Sequence, residues 1–418
     1  MKFYGYRRAD GSVGCRNLVA VIPSVVCAAD VAQAIVQNVQ GAVGLFHHQG
    51  CSQLPPDLKR VTDTLIGLAL NPNVGAVLIV SLGCEGTDHA RMYQEIHAAG
   101  KPVEIIGIQK LGGVSKAIAA GIDAAAGLVR KISGQQREEA DLSEVVLSIK
   151  CGASDATSGM ASYCALGYAA DKLVSLGGTV IFGETTEFIG AEHILMRRAV
   201  NQEVADRIGF IVNRMETRAK SLGCDMRKGQ PTPGNIEGGL SSIEEKSLGA
   251  ILKSGTSPIQ GVMEYPDRVR TSEGIKKGLW IKDTPGREPE ILTGMACSGA
   301  QIMMFSTGRG APQGYPIMPV VKVCGNPVTY QHMEQDMDIN AGLILEGKKT
   351  IEQVGEEVFA KILETLNGEM SKNESLHYYS AIEIHTLGRW FNRTKDGLLQ
   401  KKQRETVRSS LLFLMTKR

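Results

Sequence analysis

Three short segments of the sequence set a cysteine beside glycine and polar residues: His47-His48-Gln49-Gly50-Cys51, Gly83-Cys84-Glu85-Gly86 and Cys151-Gly152-Ala153-Ser154-Asp155. Thiolate and imidazole suit soft metals, so a Cys/His/Glu cluster drawn from these segments is a candidate iron site. Three cysteines from three loops also suit a [4Fe–4S] cluster with one open iron. The plain alternative for each thiol is packing as a small buried hydrophobe. All nine cysteines are widely spaced, odd in number and without a CxxC pair, which argues against a disulfide framework or a zinc ribbon.

Other segments carry weaker signals. In Gly14-Cys15-Arg16-Asn17 the arginine can clamp a carboxylate through its planar fork, or cap a surface. Gly183-Glu184-Thr185 is followed by Glu187, Glu192 and His193. Thr307-Gly308-Arg309-Gly310 exposes backbone N–H groups to an anion, or is an exposed turn. Asp336-Met337-Asp338-Ile339-Asn340 offers oxygens to a cation but lacks the glycine and glutamate of a calcium loop. No GxGxxG follows a strand, and the P-loop-like run at 342–349 has Lys349 where Mg2+ needs Ser or Thr.

These segments need elements to position them. Apolar runs at 18–23, 42–48, 76–83 and 102–108 alternate with helical patterns at 28–40, 55–70, 89–99 and 114–132. That alternation predicts a parallel, doubly wound sheet, which places ligands outside the carboxyl ends of its strands. The charged stretch 133–141 reads as a linker. A second unit begins with a strand at 144–150, a helix at 158–175, a strand at 177–184 and one long helix over 187–222. A loop at 229–239 and helices at 243–253 and 354–366 follow. The expected fold is α/β: two Rossmann-like parallel-sheet domains, 1–135 and 142–375, with an active-site cleft between them and a basic tail at 376–418.

Composition agrees. A chain of 418 residues exceeds one ordinary domain, and 43% hydrophobic against 22% charged residues excludes disorder over most of it. The 48 glycines and 5% aromatics suit tight turns in an α/β enzyme better than a β-sandwich. A net charge of +2 gives no reason to expect nucleic acid, although 385–418 holds nine Lys/Arg against two acids. No run reaches the roughly 18 apolar residues of a membrane span. The first residues lack the apolar core of a signal peptide, so a cytoplasmic protein with no membrane partner is expected.

Taken in order, the motifs resemble the altronate/galactarate dehydratase family of sugar-acid dehydratases, over about 4–375. The matching segments include Gly5-Tyr6-Arg7, Gly14-Cys15-Arg16-Asn17, His47 with Gly50-Cys51, Gly83-Cys84-Glu85 and Cys151 to Asp155. Gly183-Glu184-Thr185, Pro233-Gly234-Asn235, Glu245 to Gly249, Phe305 to Gly310 and Asp336 to Asn340 continue the series. The resemblance implies an iron-dependent lyase acting on a small hydroxy-acid. The same family includes the large subunit of a sulfolactate sulfo-lyase, and both reactions take the proton α to a carboxylate and expel a β-substituent. The resemblance further implies Cys51, Cys84 and Cys151 as metal ligands with His47 close by, around a mononuclear Fe2+ or an aconitase-like cluster. His48 or Glu85 would be the base, with His193 a further choice. Arg16, Asn17, Ser154 and Arg309 would hold substrate oxygens, and Asp155 would orient a hydroxyl or act as acid. A catalytically silent scaffold subunit is the reading from another class.

Three departures from the family are expected to matter. The small SAF domain that precedes this region in single-chain members is not seen, so a separate small SAF subunit, within a homo- or hetero-oligomer, is expected. Cys51 is followed by Ser52-Gln53 instead of a glycine-rich continuation, which bears on the substrate. The tail matches nothing in the family, and its amphipathic stretch 404–418 is either a partner-binding helix or a solvated end.

Overall fold

The computed structural model describes residues 1–272, 274–379 and 382–388, so the helix expected over 404–418 lies outside the described residues. Two parallel sheets dominate. The smaller has the order Ala42–Gly44, Leu18–Pro23, Val74–Ser81, Val103–Gly107. Val74–Ser81 is buried along its whole length, as a central strand covered on both faces must be. The helices Ala29–Asn38, Pro55–Ala69, His89–Ala98 and Val114–Ser133 follow the strands in turn. Pro55 sits in the first turn of its helix, where a missing N–H costs nothing. Asp88 starts the next helix by accepting a hydrogen bond from Arg91 N at 2.9 Å.

The larger sheet has seven parallel strands in the order Ile259–Met263, Gly278–Lys282, Thr179–Phe182, Val146–Cys151, Ile302–Thr307, Val320–Cys324 and Ile339–Asn340. The α/β expectation of two Rossmann-like parallel sheets is therefore met. Side chains alternate across this sheet. Leu147, Ile149, Met304, Val321 and Val323 join the core under helices Tyr163–Ser175 and Ile351–Leu366. Val146, Met303, Phe305 and Val320 join the opposite core, which is shared with Ile22, Leu65 and Ile79 of the smaller sheet's domain. The two domains meet where Pro55–Ala69 packs on Glu288–Cys297. Contact there is close: a Cβ on Gly67 would lie 2.4 Å from Cys297 Sγ.

Three elements differ from expectation. The stretch read as a linker carries the strand Glu138–Asp141, which pairs antiparallel with Lys2–Arg7. Phe3, Val13 and Cys15 thereby pack into the larger sheet's core. The long helix expected over 187–222 is broken into Glu192–Arg197 and Gln202–Ser221. Asn201 is the cause: its side chain accepts from Val204 N at 2.9 Å and caps a new helix, while Ala199 bridges to Ile259. The strand expected at 42–48 ends at Gly44, which leaves 45–51 as loop. Among the described residues no helix is long and apolar enough to cross a membrane.

Candidate active site

The strongest cluster lies at the carboxyl edge of the larger sheet. Cys151 ends its strand, and alternation turns its side chain toward the helix layer, against Tyr163 and Ala250. Glu184 follows the neighbouring strand Thr179–Phe182 and reaches across. Its Oε2 accepts from Cys151 N at 2.9 Å and from Lys253 Nζ at 2.7 Å. Lys253 Nζ also lies 3.2 Å from Cys151 Sγ. Lys253 is 0% exposed and Glu184 1%, so this is a buried ion pair. Burial first, then the Glu184 charge, pushes the Cys151 thiol up to about 11. The thiol is thus neutral at ordinary pH, and Glu184 is the anion that holds Lys253. Burial works against the Lys253 charge, but its acidic surroundings outweigh it and hold the ammonium above its usual pKa. Lys150 comes within 3.8 Å of Glu184 Oε1 from the opposite face of the sheet.

Beside this pair the loop after Cys151 is tightly held. Ala153 has φ +48°, and its carbonyl accepts from Gly308 N at 3.2 Å and Arg309 N at 2.9 Å. Ser154 Oγ is 2.7 Å from the Tyr163 hydroxyl, and its carbonyl accepts from Asn235 Nδ2 at 2.8 Å. Asp155 is buried and accepts from Thr157 Oγ1 at 2.5 Å, Ser158 N at 3.1 Å and Asn326 Nδ2 at 3.0 Å. One π-helical turn, Ser158–Ser162, opens the next helix, a feature often found at functional sites. Arg309 is partly exposed and donates to Gly234 O and Glu237, both at 2.7 Å. The structure therefore brings Cys151, Ser154, Asp155 and Arg309 together.

The other expected residues lie elsewhere. His47, His48, Cys51, Cys84 and Glu85 gather on the smaller sheet's carboxyl edge, where Gly86 N donates to Gly50 O at 2.9 Å and joins their two loops. Cys51, Cys84 and His48 are exposed. Glu85 accepts from Ser24 Oγ and Gly83 N, both at 2.6 Å, and pairs with His89 Nδ1 at 3.2 Å. Burial opposes its charge, but the hydrogen bonds from Ser24 and Gly83 prevail and hold its carboxyl below the usual range. His193 is exposed on its short helix. All five N–H groups of Arg16 are occupied, by Glu374 and by the carbonyls of Cys15, Thr365 and Glu369. Asn17 bridges Arg8 and Ile132 O. Both residues thus have a structural task in this fold.

Backbone strain marks the same loops. Among the described residues, positive φ in a non-glycine occurs at Ser52, Ala153, Glu184 and His377, and the first three adjoin Cys51, Cys151 and the Lys253 pair. Each costs on the order of 1–2 kcal/mol and persists where surrounding contacts fix it.

The implied iron does not fit the set of four ligands. His47 Nε2 lies 2.7 Å from Pro23 O and its Nδ1 accepts from Gln49 N at 3.2 Å, so neither nitrogen has a free lone pair. Cys151 faces the helix layer and is engaged with Glu184 and Lys253. Among the described residues no three His, Cys, Asp or Glu side chains are grouped to hold a metal. Of the three thiols expected as ligands, Cys51 and Cys84 are exposed, on joined loops, and open to a soft ion.

Sequence reasoning missed Lys150, Lys253, Tyr163 and Asn326 as members of the site. The signal for the lysines was there: each is a lone charge closing an apolar run, VLSIK and AILK.

A two-domain α/β fold with buried charge at the carboxyl edge of a parallel sheet places the candidate site where α/β sheets bind their ligands. Comparison with known proteins narrows this. The model described as D-galactarate dehydratase/Altronate hydrolase, second domain, matches residues 5–133, and that described as D-galactarate/Altronate dehydratase, C-terminal, matches 142–388. The chain is 38% identical to the (2R)-sulfolactate sulfo-lyase subunit beta of Chromohalobacter salexigens, over 90% of this chain and 95% of that one. It is 33% identical to the altronate dehydratase of Bacillus subtilis, over 89% and 75% of the two chains. It is 37% identical to the galactarate dehydratase (L-threo-forming) of Escherichia coli, over 88% and 73%. The chain belongs to the D-galactarate/altronate dehydratase family, a family of lyases.

Proposed function

We propose that the chain dehydrates a sugar acid such as altronate or galactarate to a 2-keto-3-deoxy acid. The α C–H bond breaks and its proton passes to a base. The electron pair forms the C=C bond of an enol as the β C–O bond breaks, and the hydroxide leaves with a proton as water. The enol then tautomerises to the ketone. The observation that supports this most is the Lys253–Glu184 pair beside Ser154, Asp155 and Arg309. An α-proton next to a carboxylate is weakly acidic, so the developing dianion needs fixed positive charge in a water-poor site. Lys253 and Lys150, both fully buried, set two cations against the one carboxylate of Glu184, and the partly exposed Arg309 adds a guanidinium fork beside them. Asp155, its carboxylate fixed by four donors from Thr157, Ser158 and Asn326, orients the departing hydroxyl. His48, exposed on the smaller sheet's carboxyl edge with its Nε2 2.9 Å from Gln49 Nε2, is the base in this reading. Cys51 and Cys84 are the residues that would hold iron, which would supply Lewis-acid chemistry at the smaller sheet's edge.

A second reading is favoured by the match to nearly the whole sulfo-lyase subunit. There the same proton is taken, but a C–S bond breaks and sulfite leaves. That relative is one subunit of its enzyme, and we propose a small partner subunit here too. The test is turnover by the anaerobically purified protein of altronate, galactarate and (2R)-sulfolactate, with keto-acid and sulfite both assayed. Keto-acid from a sugar acid supports the first reading. Sulfite release without sugar-acid turnover refutes it in favour of the second.

A further inference from the structure

Lys150 precedes Cys151, so alternation turns it to the opposite face of the sheet, the one packed against the smaller domain. It is 0% exposed, and its Nζ makes no hydrogen bond. Glu184 Oε1 stays 3.8 Å away and Glu288 Oε1 3.6 Å, both beyond hydrogen-bond reach. The ring of Phe305, its cross-strand partner, closes one side at 3.9 Å. An ammonium has three donors and accepts nothing. Buried polar groups are hydrogen-bonded with few exceptions, and buried charge is the most expensive kind to leave idle. Lys322 provides the contrast: it flanks the same ring at 5.0 Å, equally buried, yet donates to Gln313 O.

Glu288 is the partly exposed neighbour of Lys150. It is the first residue of the ten-residue helix Glu288–Cys297, and its side chain is 29% exposed. Gly152 leaves it room, since a Cβ there would lie 2.5 Å from Glu288 Oε1. Arg287 beside it pairs with Glu383. A carboxylate arriving from solvent therefore meets Glu288 first and Lys150 behind it.

We propose that Lys150 is the carboxylate-binding cation of this site, and that Glu288 is the internal carboxylate a ligand displaces. Only the choice of ligand, a small hydroxy-carboxylate, rests on the lyase reading. The test is equilibrium binding of galactarate and (2R)-sulfolactate to the full chain by calorimetry. Lys150→Met is expected to weaken binding about 30-fold or more, and Lys150→Arg to recover part of it. Glu288→Ala is expected to tighten binding by about three- to tenfold, by removing the competitor. Wild-type affinity in Lys150→Met, or no tightening in Glu288→Ala, overturns the assignment. Should Lys150→Met lose its near-UV circular dichroism, Glu288→Ala decides alone. Binding by the wild type without turnover of any probe, with both variants as expected, refutes the lyase reading and keeps Lys150. Turnover by Lys150→Met at wild-type KM does the reverse. No binding of either probe by the wild type overturns the assignment.

Discussion

Replacing Lys253 by methionine tests the centre of the site most directly. At 2.7 Å and an effective dielectric constant of about 20, the Lys253–Glu184 attraction is about 6 kcal/mol. Desolvating two ions takes back several kcal/mol, so the pair as a whole is close to neutral for stability. Removing one partner is different, because it strands Glu184 at 1% exposure with only Lys150, at 3.8 Å, as a remaining cation. The expected loss is about 3–5 kcal/mol. The assay is urea unfolding followed by the fluorescence of Trp280, which lies in the strand next to Thr179–Phe182. Lys253→Met with Glu184→Gln should cost clearly less than Lys253→Met alone, because no charge is then stranded. The sign with pH follows from the raised Lys253 pKa. Its contribution is complete below the unfolded-state value and is lost only as pH rises through the higher folded value, so the defect should be flat between about pH 6 and 9. A loss under about 1 kcal/mol, or a double variant as damaged as the sum of the singles, refutes the reasoning.

Four further outcomes are expected. Burial pushes His47 down to about 4, so the stability it confers is present above the unfolded 6.5 and is lost as pH falls through 4. Acid titration by circular dichroism should show a loss of about 3 kcal/mol that His47→Gln abolishes. A thiol reagent at neutral pH should modify Cys27, Cys51, Cys84 and Cys224 rapidly and leave buried Cys15, Cys151, Cys297 and Cys324 intact; fast labelling of Cys151 would contradict its surroundings. In protein purified without oxygen, Cys51→Ser and Cys84→Ser should lower bound iron while Cys151→Ser leaves it unchanged; the opposite pattern would restore the three-thiol site. Gly308→Ala would bring a Cβ to 2.0 Å from Asp155 Oδ1, so turnover should fall about 100-fold or more, and wild-type activity would show that Asp155 is not needed in place.

Much of the fold was legible because parallel strands announce themselves. VLIV in Val74–Ser81 and VIF in Thr179–Phe182 are short apolar runs with no polar alternation, and the helices between them keep their period. The sequence hid what depends on three dimensions. Cys151 sits at the end of its strand as expected, but the parity of side-chain direction gives the interdomain face to Lys150. Counting residues along VLSIKC cannot show which parity faces which neighbour until the domains are placed. Glu184 was visible beside a glycine, but its importance comes from Lys253, 69 residues later in sequence. Arg16 looked like a free clamp because Glu374, which occupies it, is 358 residues away.

The antiparallel pairing of Lys2–Arg7 with Glu138–Asp141 makes the smaller domain an insertion. The chain starts in the larger unit, leaves to build the four-stranded sheet, and returns beside its own beginning. Two connections side by side, rather than one, join the units, and Arg137 reinforces them by donating to Tyr4 O and Cys15 O. A doubled strap resists torsion, so the smaller domain cannot swivel as a lobe on a single linker can. With twist limited in this way, side chains such as Glu288 are left as the parts that can move aside for a ligand at the interdomain face.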